Sequence, residues 1–167
     1  MTAMEDHALS RSARWGQLAM VVGLLLLVGF FSLHQARGTG FLTDDFGPLE
    51  TIALFVPIFL AMVAPVVTAA RGHENPGRPW EVLANLALAA GSYWLWRRFP
   101  FNFAHLGDVF PQAARFLFGW ITDNIGRVIL VLQIIASLIG APRTFWQYYS
   151  TRRSDRTSDK GLPGGQI

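Results

Sequence analysis

TIALFVPIFLAMVAPVVTAA, residues 51–70, and LAMVVGLLLLVGFFSL, residues 18–33, contain no charged side chain. A bilayer core about 30 Å thick is crossed by roughly 20 helical residues, so each run with its flanks is long enough to span it. Segments 80–96 and 128–148 are less uniformly apolar and read the same way. The pattern predicts an all-α integral membrane protein. Its expected architecture is a four-helix bundle spanning at about 15–34, 49–70, 80–96 and 126–148. Residues 1–14 form a cytoplasmic N-terminal segment on this reading, and residues 150–167 a basic cytoplasmic tail.

With 51% hydrophobic and 15% charged residues in 167, four spans leave no room for a second domain. The formal charge of +3 does not point to nucleic acid. Five of the fourteen basic residues, Arg143, Arg152, Arg153, Arg156 and Lys160, follow the last apolar run, where they suit anionic headgroups, and no base-reading module accompanies them. Absence of cysteine excludes disulfides and thiolate chemistry. Arg11 and Arg14 before the first run resemble the start of a signal peptide. The run is longer than the usual ~7–15 residues, however, and no small-residue cleavage site follows it, so a retained span is expected.

Basic residues set the orientation. With the N-terminus inside, nine fall on the cytoplasmic side and five (Arg37, Arg97, Arg98, Arg115, Arg127) outside, which favours both termini in the cytoplasm of a cell-membrane protein. Trp15, Trp80, Trp146, Tyr148 and Tyr149 then mark the inner interface, and Tyr93, Trp94, Trp96 and Phe99 the outer one. Pro57 and Pro65 lie inside span two, where they predict a static bend that shapes the bundle in preference to a hinge, since no matching interruption appears in another span.

FPFNFAHLGDVFP, residues 99–111, is too apolar for a solvated loop and too rich in proline for a regular helix. After Pro111, Ala113, Ala114, Leu117, Trp120 and Ile121 recur at helical spacing. This predicts an outer-side amphipathic helix between spans three and four, lying on lipid or docking another subunit. Trp94, Trp96, Phe101 and Phe103 are the candidate docking residues. The sequence after residue 150 is polar, charged and finally Gly/Pro-rich, the composition of a disordered tail.

Polar groups inside spans are few. Asn85, Gln133 and Ser137 suit hydrogen bonding between helices, and Ala87/Gly91 and Ala136/Gly140 supply small faces for close approach. No ionisable residue falls at a predicted bilayer centre, which argues against a self-sufficient pump or exchanger. Arg127, one turn after Asp123, is a candidate for a salt bridge or for headgroup binding, with Arg143, Arg152 and Arg153 as further headgroup candidates. His34, His105 and Asp108, with Asp44 and Asp45, share the outer side as weak metal candidates; their spacing matches no metal motif, and no metal or cofactor is expected. No central histidine pair suits haem, and no catalytic or phosphate-binding motif is present.

In outline the chain resembles the small four-span subunit of tripartite periplasmic (TRAP-type) transporters. The likeness lies in length, four-span plan, an acid before span two (Glu50) and Arg71-Gly72-His73 after it. The prolines of span two and the 99–111 segment depart from that plan. The resemblance implies a transport component; a membrane-embedded enzyme would need a polar cluster that the sequence does not assemble. The missing intramembrane charges favour a non-catalytic accessory subunit of a larger membrane complex, with lipid and other membrane subunits as partners.

Overall fold

In a computed structural model the described residues, 10–72 and 75–159 (without the side chains of 75 and 151–159), form four long helices and no strand. Helix α1 runs Arg11–Arg37, α2 Pro48–Arg71, α3 Arg78–Arg98 and α4 Asp123–Asp159. Local chemistry sets the ends. The Ser10 hydroxyl accepts from the Ala13 N–H at 3.2 Å, satisfying one of the free donors of the first turn of α1. Pro48 opens α2 where its missing N–H costs nothing, and the Glu50 carboxylate reaches back to the Gly47 N–H.

Helices α1, α2 and the Asp123–Ser150 part of α4 are long and apolar enough to cross a membrane. Helix α3 is not in that set: Glu81, Asn85, Ser92, Tyr93 and its three tryptophans lower its hydropathy, and Arg78, Arg97 and Arg98 close its ends. The helices pack as a row, α1 on α2, α2 on α3 and α3 on α4, while α1 and α4 share no extended interface. The first and last helices of the row are therefore the least covered. None of the most apolar stretch of α1 is buried, against 33% for α2.

Close approach within the row depends on small residues. A Cβ at Gly91 would collide with the Ala53 carbonyl and press on the Pro57 ring, so this glycine permits the α2–α3 contact. Gly140 of α4 lies against the Asn85 carboxamide, which places Asn85 at the α3–α4 contact. Both prolines of α2 are buried within one uninterrupted helical span.

Two expectations are corrected. Between α3 and α4 there is no amphipathic α-helix but two short 3-10 turns, Phe103–His105 and Gln112–Leu117. The chain after Pro111 stays at the surface and is folded back on itself instead: Arg115 donates to the Phe110 and Asp108 carbonyls, and the turn ends at Phe118. At the other end, α4 continues to Asp159, so the first part of the segment expected to be disordered is helical. No glycine or proline interrupts the chain from Arg143 until Gly161, which lets the helix propagate past the apolar run. Residues 160–167 lie outside the described residues.

Candidate functional site

The α1–α2 loop and the α3–α4 connection meet at one end of the row. Leu42 and Phe101 form an isolated antiparallel bridge, with the Thr43 N–H donating to the Pro100 carbonyl at 3.1 Å and the Asn102 N–H to the Phe41 carbonyl at 2.8 Å. This pairing places Phe41, 2% exposed, at the centre of an aromatic cap. Its ring centroid lies 5.7 Å from Phe101, 5.4 Å from Phe103 and 6.0 Å from Phe30. Phe99 ends α3 with a positive φ of 45°, a conformation that costs a non-glycine residue about 1–3 kcal/mol. Its ring is held by Phe101, by Phe103 and by the Arg127 guanidinium 3.9 Å above it.

Two polar clusters sit in this cap. In the first, His34 is 1% exposed; its Nδ1 shares a 2.6 Å hydrogen bond with the Thr39 hydroxyl, while its buried Nε2 makes no hydrogen bond of full geometry among the described residues. Gly40, at φ 86°, lets the chain pass the His105 ring, which a Cβ would crowd at 3.3 Å. The His105 Nδ1–H donates to Asp108 at 2.8 Å, and Arg115 pairs with the other carboxylate oxygen at 3.2 Å. The hydrogen bond from His105 holds the Asp108 carboxyl below its usual range, with help from the charge of Arg115 and against partial burial. Arg37 donates to the Val109 carbonyl at 3.3 Å, tying the end of α1 to the same loop.

In the second cluster Glu50, 4% exposed, accepts from the Trp94 indole N–H at 3.1 Å and lies 3.6 Å from Arg98. Glu50 thus joins the start of α2 to the end of α3. A glycine at 47, a proline at 48 and an acid at 50 form a legible helix-start signal, but the sequence did not reveal its cross-helix partners.

Beneath the cap lies a cavity of about 280 Å³, bordered by all four helices. Its walls are apolar apart from Ser92 and Gln133. Toward the other end of the row a second, more polar hollow of about 370 Å³ is bordered by Gln17, Thr68, Arg78, Glu81, Asn85 and Gln147. Here Thr144 donates to Glu81 at 3.2 Å, joining α3 to α4. Leu88 borders both spaces.

The sequence candidates separate accordingly. Phe101 is buried and Phe103 half-buried within the cap, so they pack the core and do not form a docking surface. Trp94 is partly exposed but spends its N–H on Glu50, and Trp96 packs beside Tyr93 at 6.4 Å. On the connection between α3 and α4 the large exposed aromatic residues are Phe116 and Trp120, in and just after a 3-10 turn and not on the amphipathic helix that the spacing predicts. Gln133 faces the apolar cavity, and Ser137 is buried. Asp123 accepts from the Phe103 N–H at 2.8 Å and makes no ion pair with Arg127 among the described residues. His105 and Asp108 come together, yet no group of three or more His, Asp or Glu among the described residues is placed to hold a metal ion. Arg143 is exposed; the side chains of Arg152 and Arg153, and His73, lie outside the described residues.

No known protein family, curated protein or solved structure matches this chain.

Proposed function

We propose that this chain is a non-catalytic accessory subunit of a larger membrane protein complex, crossing the cell membrane four times with both termini in the cytoplasm. One observation carries the reading. Phe116, Leu117 and Trp120, exposed by 75%, 54% and 68%, stand together on the short turn beyond the aromatic cap. Large apolar groups clustered on a connecting segment mark an interaction surface. The Trp120 N–H donates to the Leu117 carbonyl at 2.7 Å, which fixes the platform in shape before a partner arrives. The sparsely covered α1 and α4 provide further apolar faces for lipid or neighbouring spans. Helix α3 is included as a span because it packs between α2 and α4, and its 21 residues extend about 31 Å. The excess of basic residues on the inner side supports the orientation.

A second reading, a small transport component similar in outline to the TRAP-type small subunit, is favoured by the two internal spaces that approach each other at Leu88.

Extraction in mild detergent followed by native mass spectrometry tests the first reading. A stoichiometric membrane partner, released by Phe116→Ala with Trp120→Ala while helical content is retained, is expected. A wild-type protein that migrates alone refutes it; ion or solute flux in liposomes, altered by Leu88→Ala, would then establish the second.

A further inference from the structure

We infer that the cavity beneath the aromatic cap is a binding site for one acyl chain of an anionic phospholipid, entered sideways between α1 and α4. The inference rests on the membrane setting of the apolar helices and not on the accessory-subunit reading. Three observations carry it.

The first is the lining. Phe30, Leu54, Ile58, Leu95, Phe101 and Leu106 present hydrocarbon to the space. An apolar cavity of this kind stays free of water and takes apolar guests. A cavity near 150 Å³ holds a six-carbon ring, so about 280 Å³ accommodates roughly eleven carbons of a chain. That is part of one acyl tail and too little for a folded polycyclic ligand.

The second is the mouth. Leu27 of α1 and Ile129 of α4 both border the cavity, and each is also exposed, by 39% and 51%. They belong to the two helices that share no extended interface. In a bilayer this gap faces lipid tails at the depth of the apolar spans, so a chain enters without crossing water.

The third is charge. Gly126 lines the cavity, and the next residue, Arg127, is exposed with its guanidinium held over Phe99. A ring-stacked guanidinium keeps its N–H donors for a phosphate, the geometry in which arginine binds anions best. Gly126 itself admits the Phe103 ring, another wall of the cavity, which a Cβ would displace.

Reconstitution of the full chain into nanodiscs of phosphatidylcholine tests the site. A trace of phosphatidylglycerol carrying a diazirine near the end of one acyl chain is added, and after irradiation adducts are mapped by peptide mass spectrometry. Adducts are expected at Leu95, Phe101 and Leu106, which are 3%, 7% and 8% exposed and closed to bulk lipid. Leu130→Trp, which fills the space, lowers them at least tenfold, whereas Leu26→Trp on the lipid-facing side of α1 leaves them unchanged. Ile129→Trp at the half-exposed mouth serves the same purpose if the Leu130 variant does not fold. A phosphatidylcholine probe gives several-fold fewer buried adducts than phosphatidylglycerol, and Arg127→Gln abolishes that preference. Adducts confined to exposed residues, or unchanged by filling the cavity, overturn the site. Equal adducts from both headgroups overturn the anionic assignment, and buried adducts from diazirine palmitate alone would assign the cavity to free fatty acid instead.

Discussion

Phe41→Ala tests whether the aromatic cap holds the two loops on the helices. Phe41 is 2% exposed, and five rings pack around it: Phe30, Phe31, His34, Phe101 and Phe103. Full burial of a phenylalanine contributes about 1.5–3 kcal/mol, and each well-placed ring pair adds about 0.5–1.5. The ring sits in the loop that bridges to Phe101, so its neighbours cannot close the void without breaking that bridge. The expected loss is therefore about 3–5 kcal/mol, the usual range for truncating a buried phenylalanine. Unfolding of the purified protein in a mild micelle, titrated with SDS and followed by tryptophan fluorescence, measures it. Phe116→Ala is the matched control. At 75% exposure it should change stability by no more than ~0.5 kcal/mol. A Phe41 loss below about 1 kcal/mol, or equal losses at both positions, would refute the cap as a structural centre.

Three further outcomes follow from the geometry. Glu50→Ala should destabilise more than Glu50→Gln, because only alanine leaves both the Trp94 and Gly47 N–H groups without an acceptor, while Arg98→Ala should cost least since its side chain is 60% exposed; thermal melts of the three variants give the order, and an Arg98 effect equal to Glu50→Ala would show that charge pairing dominates. Asp108 titrates below its usual range in the folded state, so its contribution is present above about pH 4 and fades as acid protonates it below that. The stability difference between wild type and Asp108→Asn, measured from pH 7 down to pH 3, should hold and then shrink; a difference that grows in acid would contradict the assigned sign. Gly91→Ala should force α2 from α3 and cost about 1–3 kcal/mol, checked by the same SDS titration; a neutral effect would mean the helices can separate freely.

The long helices were legible because their signals are local. Apolar runs and the aromatic residues at their ends place α1 to α3 within a few residues of their observed limits. The extent of α4 is not legible from composition, because a polar, charged stretch suits a disordered tail and a helix alike when nothing in it breaks a helix before Gly161. The segment after Pro111 differs for the opposite reason. Helical spacing is present there, but Arg115 satisfies the carbonyls of Asp108 and Phe110 and folds the chain into a turn.

By itself, the sequence determined the all-helical character, the apolar runs and their order, since hydropathy and capping act within a few residues along the chain. It could not show that Phe41 and Phe101 occupy the core instead of the surface, because an aromatic residue serves equally well in either place. Nor could it show that Glu50 lies between Trp94 and Arg98, more than forty positions away, or that His34 is sealed beneath the cap. Only tertiary packing decided these, and with them the cavity: a void is a property of the space between helices, and none of the residues that border it encodes that space alone.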